Sequence, residues 1–289
     1  MLIKRHLLMF FRDKANVLFS LLSVFIIIML FVLFLGDVMV QSVESELGFS
    51  SDGIPIVVAG IMLGGMVGVT SVTSCMGALG IRVADHEGAG ADFFSSPLSR
   101  RKIAFSYVMG STLVGLLMTG FALIIVLGYL LVLGSGLPSL AIMGKHLLTL
   151  ALSVLCANSM MYLVTLFIKS RNALSGFSAV IGSLIGFVMG IYLPIGQLPN
   201  GVGWVIRLFP MSHSASMFRQ LLADGQLEEL FAGAPPEALA SMREFFGVTF
   251  LFGEFQTGFW FSAAVLLVST AVFYGVSLLV MKRKSHLNG

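Results

Sequence analysis

Residues Pro55–Ile81 read PIVVAGIMLGGMVGVTSVTSCMGALGI, a run without Asp, Glu, Lys or Arg. A helix through it, rising about 1.5 Å per residue, is long enough for the ~30 Å hydrocarbon core of a bilayer. Five other stretches share this character: 15–35, 103–133, 147–168, 173–193 and 257–280. The third span, 103–133, is long enough to tilt, and Pro194 and Pro199 stop the fifth. Of the 289 residues 57% are hydrophobic and 11% charged, too little charge to cover a soluble domain of this length. The expected fold class is an all-α membrane protein, one transmembrane domain over 1–289 with six transmembrane helices and both termini on one side. Cys75 and Cys156 fall inside apolar runs and read as small core residues rather than disulfide or metal partners.

Charge between the spans gives an orientation. Lys4, Arg5, Arg12, Lys14, Arg82, Arg100, Arg101, Lys102, Lys169, Arg171, Lys282, Arg283 and Lys284 all lie in the termini, the 82–102 loop or the short 169–171 loop. Only Asp13, Asp85, Glu87 and Asp92 accompany them, whereas the opposite segments hold the other ten acidic residues. The positive-inside rule therefore makes the termini and the 82–102 loop cytoplasmic, in a multi-pass protein of the cell membrane.

Lys4 and Arg5 ahead of an apolar run mimic a secretory signal, but the run is too long and no small-x-small site follows. Ile3, Leu7, Phe10 and Phe11 instead share one helical face, so 1–14 reads as an amphipathic helix resting in the headgroup layer. The longest non-spanning region, 196–256, opens with GVGWVIRLFPMSHSASMFRQLL, whose mixture of aromatic, basic and small residues suits a re-entrant or interfacial hairpin. Pro235-Pro236-Glu237 then opens a short helix ending near Gly247, read as a lid. Too few residues remain there for a soluble accessory domain.

Enzyme signatures are missing: no phosphate-cradling G-x-x-x-x-G-K-[ST], no H-E-x-x-H and no G-x-S-x-G. No metal-ligand cluster is apparent, and nothing in the basic pattern points to nucleic acid. His6, His86, His146, His213 and His286 are scattered, and none is expected in mid-membrane. Ion-driven carriers bind their coupling ion at ionisable groups within spans. The expected spans lack Asp, Glu, Lys, Arg and His near their centres, so energy for transport would have to arrive from outside the bilayer. Gly60, Gly64 and Gly68 in span two, and Ser178, Gly182, Gly186 and Gly190 in span five, form small-xxx-small faces. These faces serve packing within the chain or, in a sharper reading, a subunit interface and the path beside it. Asn158 and the Thr70/Ser74 face are candidates for contacting a transported molecule. An apolar, Gly-rich path is compatible with drugs, lipids, peptides or glycolipids.

The cytoplasmic stretch DHEGAGADFFSSPLSRRK, Asp85–Lys102, carries the most specific pattern. Glu87-Gly88, followed by Ser96-Pro97 and Leu98-Ser99-Arg100, resembles the coupling-helix loop of type-2 ABC exporter permeases. FFRDKANVLFSLL (Phe10–Leu22) looks like that family's elbow helix entering span one, and LPIGQLPNGVGWVIRLFPMSHSASMFRQL resembles its outer segment, Pro210 and Arg219 included. The resemblance implies a permease half-unit that pairs with a second permease, as homo- or heterodimer, and docks separate ABC ATPase subunits. Those subunits would carry ATP and Mg. Asp85, Glu87, Gly88, Asp92, Phe93, Phe94, Ser96 and Pro97 would then form the ATPase-coupling set, within a coupling helix over 85–98.

The chemistry of the loop suits that role. Asp85 and Glu87 are expected at a helix start, where they complement its dipole. Phe93 and Phe94 supply an apolar knob, and Ser96-Pro97 suit N-cap and N1 of the following helix. Arg100, Arg101 and Lys102 would meet anionic membrane lipids. The loop departs from the family in its small residues Gly88, Ala89, Gly90 and Ala91. A helix-interior Gly costs roughly 1 kcal/mol relative to Ala, so the coupling helix is expected to be ordered only against its partner. The rival readings are a secondary transporter and a non-transporting scaffold or sensor.

Overall fold

The computed structural model describes residues 2–14, 17–18, 25–26, 28–89 and 99–287. Helix α1 (Leu2–Arg12) precedes an apolar helix that passes through a π-type turn at Phe31–Leu35 into α2 (Gly36–Leu47). Then come α3 (Gly53–Ala84), α4 (Arg100–Val132), α5 (Leu140–Thr165) and α6 (Arg171–Val188). The 196–256 region holds α7 (Asn200–Leu208), α8 (Pro210–Leu222), α9 (Asp224–Leu230) and α10 (Pro236–Phe245). A hairpin pairs β1 (Leu251–Phe252) with β2 (Phe255–Gln256), and α11 (Phe259–Leu287) closes the chain. Among the described residues, six stretches are long and apolar enough to cross a membrane: Ile28–Ser45, Gly53–Gly88, Arg101–Val132, Leu140–Thr165, Arg171–Val188 and Phe259–Arg283. The chain is an all-α membrane protein.

Helix ends differ from the ends of the apolar runs because capping groups place them. Helix α5 starts at Leu140 rather than 147, where the Ser139 hydroxyl accepts from the Ile142 N–H. Helix α4 starts behind Ser99, which accepts from the Lys102 N–H, so Ser99 fills the capping role expected of Ser96. Ser170 caps α6 through the Ala173 N–H. That helix stops at Val188 rather than 193, and Gly190 turns the chain with φ 61°. The first span, expected over 15–35, falls partly outside the described residues. Its described part runs on to Leu47 and takes Asp37 into the first turn of α2.

Helix α3 is the interior element: 94% of its apolar window is buried, against 11% for α6 and for α11. Small residues let it be central. A Cβ at Gly60 would stand 2.6 Å from the Leu222 carbonyl oxygen, one at Gly64 3.1 Å from the Arg219 nitrogen, and one at Gly68 3.6 Å from Ala215. These pairings run in opposite directions, so α8 lies antiparallel along α3 with its N-terminus at mid-depth. The chain therefore turns at Phe209 from α7, which stays largely exposed, into α8, which runs back inside the bundle. At that depth the Ser153 hydroxyl donates to Ser71 Oγ at 2.9 Å, and Ser214 Oγ lies 2.6 Å away. Three helices are thus joined through paired hydroxyls, as burial of polar groups in lipid requires.

Gly65 offers a direct test of this packing. A Cβ there would meet the Met189 carbonyl oxygen at 2.9 Å and Arg219 Nη2 at 3.0 Å, whereas one at Gly182 would meet nothing within 4 Å. Gly65→Ala is expected to cost about 1–3 kcal/mol through overpacking. Gly182→Ala should be neutral or up to about 1 kcal/mol stabilising through helix propensity. Thermal unfolding of the purified protein in detergent checks both, and equal midpoints would refute the packing described.

Candidate coupling site and the polar contacts behind it

Among the expected coupling residues, Asp92, Phe93, Phe94, Ser96 and Pro97 lie outside the described residues; Asp85, Glu87 and Gly88 lie within them. Asp85 departs from expectation. It stands at the C-terminal end of α3, not at a helix start, and is 1% exposed. A carboxylate there opposes the negative end of the helix dipole, so it needs compensation from elsewhere. Arg5 supplies it, donating from Nη1 at 2.9 Å and Nη2 at 3.0 Å, and the Tyr107 hydroxyl donates at 2.7 Å. Asp85 is therefore a buried staple between α1, α3 and α4, not a surface for a partner.

His6 extends the staple. Its ring stacks on Tyr107 at 4.6 Å and 4°, and Nδ1 lies 3.0 Å from the Ser106 carbonyl oxygen, so Nδ1 carries the proton. Burial pushes the His6 pKa below its ordinary 6.5, and the hydrogen bond to Asp85 pushes that of Arg5 up. On the amphipathic stripe, Phe10 is buried, Ile3 and Leu7 are half-buried and Phe11 is exposed. Beside the staple, Glu87 and Gly88 are exposed. Glu87 accepts from the Arg171 backbone N–H at 3.4 Å and faces its Nε at 3.5 Å. This surface pair adds little energy but joins the 85–99 loop to the start of α6. Gly88 takes φ 138°, which only glycine adopts readily, and carries the chain out of the π-type turn Asp85–Ala89.

The candidates for a path or subunit interface separate on inspection. Gly64 and Gly68 are taken up by α8 of the same chain, and a Cβ at Gly186 would run into the Tyr192 ring. Gly190 lies beyond the helix end. The plain packing reading fits these four, and α3 is enclosed by its own neighbours, while α6, 11% buried over its apolar stretch, keeps an open face. Gly182 alone faces open space. The Thr70 hydroxyl turns back to the Met66 carbonyl, while Ser74 Oγ has no hydrogen-bond partner among the described residues. Asn158 accepts from Ser111 at 2.7 Å and donates to the Val108 carbonyl at 2.9 Å and to Thr112 at 2.5 Å. It also approaches the Tyr274 hydroxyl at 3.4 Å, so it binds α4, α5 and α11 together.

Sequence reasoning missed the main polar centre. Arg219, on α8, is fully buried. Its Nε donates to the Ile61 carbonyl at 3.0 Å, Nη1 to Gly247 at 3.3 Å, and Nη2 to Gly190 at 3.0 Å and to Met189. Met189 and Gly190 follow the C-terminus of α6 and Gly247 that of α10. Two negative helix ends thus face one guanidinium, which offsets its charge without a carboxylate. Two histidines are also inside: His213 bonds Ser262 and the Arg207 carbonyl, and neither ring nitrogen of His146 has a partner among the described residues. The expectation that no histidine lies in mid-membrane is corrected for His213, which α8 carries back inward, whereas His146 lies in the second turn of α5, away from the centre of its span. The usable signal was the small-residue row Ser212, Ser214, Ala215 and Ser216, which matches the glycine face of α3. Among the described residues no His, Cys, Asp and Glu group is placed to hold a metal ion, and Cys75 and Cys156 are buried free thiols.

The family model described as ABC-2 type transporter matches residues 1–223, from α1 to the end of α8. No curated protein matches the chain.

Two outcomes are expected. Arg5→Ala should weaken α1 docking by about 2 kcal/mol, below the 3–5 kcal/mol of a fully buried pair because Arg5 keeps 26% of its side chain in solvent. Because the docked His6 pKa lies below 6.5, docking is complete above that pH and declines as pH falls, when the freed ring takes up a proton that the docked ring refuses. Hydrogen exchange of the α1 amides, corrected for intrinsic rate, reads both effects, and His6→Phe should flatten the pH dependence. Separately, Arg219→Met should destabilise the fold by about 2–4 kcal/mol, because the carbonyls of Ile61, Gly190 and Gly247 lose their donors; a thermal midpoint unchanged from wild type would contradict the hub.

Proposed function

The chain belongs to the ABC-2 type transporter family, and on that premise we propose that it is the membrane-spanning permease subunit of an ATP-driven exporter. Separate ATPase subunits, holding ATP and Mg, dock on residues 86–98, next to the buried Asp85, and two permeases pair to form the working unit. The observation that carries this reading is the site at the end of α3. Exposed Glu87 and Gly88 adjoin a buried Arg5–Asp85–Tyr107 staple, so force applied at the loop reaches α1, α3 and α4 together. The link from Glu87 to Arg171 extends that reach to α6.

The charge asymmetry supports cytoplasmic termini in a cell membrane, which puts this loop on the ATP side. Apolar or amphipathic molecules, such as drugs or lipids, fit a bundle whose interior polar groups are mostly hydroxyl, amide and backbone. The ion-driven alternative has less support. Arg219 and Arg82 are occupied by carbonyls and Asp85 by Arg5, so none of these three buried charges stands open to a coupling ion.

The test is to purify the chain with its ATPase subunit and reconstitute both in liposomes. Phe93→Asp should reduce ATP-dependent transport at least tenfold, the order expected for loss of an aromatic anchor, without lowering the thermal midpoint of the permease. Transport by the chain alone under an ion gradient would overturn the reading. So would full coupling in the Phe93→Asp protein.

A further inference from the structure

A second exposed surface adjoins the coupling segment, at the turn between α5 and α6. The turn covers residues 166–170, LFIKS, and both of its ends are pinned. The Thr165 carbonyl accepts from the buried Arg82 of α3, and Leu166, 5% exposed, packs into the core. The Phe167 N–H donates to the Val164 carbonyl at 3.0 Å. At the other end the Ser170 hydroxyl accepts from the Ala173 N–H at 3.2 Å. With Leu166 drawn inward, the next side chain faces out: Phe167 is 62% exposed, and Lys169 and Arg171 are exposed beyond it.

This turn is continuous with the segment that leaves α3. Glu87 accepts from the Arg171 N–H at 3.4 Å and lies 3.5 Å from its Nε. Phe167, Lys169 and Arg171 therefore extend the exposed surface that begins at Glu87 and Gly88. An exposed aromatic ring with cations nearby is the chemistry of a protein docking element. The ring fills a recess and supplies most of the energy, and the cations orient the encounter. Because the turn is already held at both ends, binding costs it little ordering.

We infer that the 166–170 turn is a second docking point for the ATPase subunit, with Phe167 entering an apolar recess on that partner and Lys169 facing carboxylates at its border. The inference rests on the ATPase-coupled reading proposed above and adds to it where force is taken up. The occupant is the ATPase, rather than lipid or a second permease, because Glu87 and Arg171 join the turn to the segment on which that subunit docks. Residues 86–98 lead only from α3 into α4. The apolar stretch of α3 is 94% buried, and that of α6 only 11%. A partner holding the coupling segment alone pulls on the most enclosed helix. One that also holds the turn grips α6 at its first residues, where little packing resists it. The two contacts together can move α6 against α3.

The test uses the full chain purified with its ATPase subunit and reconstituted in nanodiscs. Photoreactive p-benzoylphenylalanine replaces Phe167, Phe93 or, as a control, the exposed Val180 of α6. After irradiation, position 167 should crosslink to the ATPase, as position 93 should, and position 180 should not. Adducts from position 167 with lipid or a second permease alone, while position 93 reaches the ATPase, would overturn the inference and leave the coupling segment standing. ATPase adducts from neither position would overturn the coupling reading and this inference with it. In binding measurements, Phe167→Asp should weaken ATPase affinity about tenfold and Lys169→Glu about threefold. The permease thermal midpoint should stay unchanged in both, since both side chains are exposed. Wild-type affinity in the Phe167→Asp protein would equally overturn the second docking point.

Discussion

A single guanidinium holds the far end of this protein together. Arg219 gives its protons to carbonyls from the first third of α3, the end of α6 and the end of α10. A charge in that setting carries a desolvation cost of several kcal/mol, and two inward-pointing helix C-termini are what make it tolerable. The geometry also fixes the surrounding sequence. Gly65, Gly190 and Gly247 each leave the volume that Arg219 occupies, since a Cβ at any of them would stand 2.9–3.0 Å from its terminal nitrogens. The hub therefore governs residues from four separate segments.

The opposite end follows the same logic with inverted sign. There a carboxylate, Asp85, is buried against a helix C-terminus and must import a cation, which α1 provides through Arg5. Arg82, one turn earlier, donates to the Thr165 carbonyl at the end of α5 and lies over the Tyr162 ring. Charged groups sit at the two ends of the bundle and neutral hydroxyl and amide groups between them. That distribution leaves the middle of the helices able to shift against one another without separating an ion pair, a property suited to a permease.

Much of this architecture was legible in the sequence. Apolar runs located six membrane helices, because hydrocarbon length is a hard constraint. Ile3, Leu7 and Phe10 announced the amphipathic helix, and the 201–222 stretch suited a re-entrant or interfacial hairpin without deciding between them. Helix ends were less legible, because they depend on hydroxyl caps such as Ser99, Ser139 and Ser170 rather than on hydropathy. Glycine spacing revealed a close-approach face on α3 but not its partner; a second copy and a segment of the same chain present the same small residues. Asp85 was misread for a related reason. Its acidity suited a partner surface, and only the return of α1 to the end of α3 shows the charge already spoken for.

The antiparallel seat of α8 on α3 also bears on how the protein is made. Helix α8, at 13 residues, is about 20 Å long, too short to span a bilayer, and its row of Ser, His, Arg and Gln would resist entering lipid alone. It has no stable membrane position until the glycine face of α3, the Ser153 side of α5 and the ends of α6 and α10 exist to receive it. Biogenesis is accordingly two-staged: the apolar helices insert as the chain emerges, and α8 with its arginine docks afterwards.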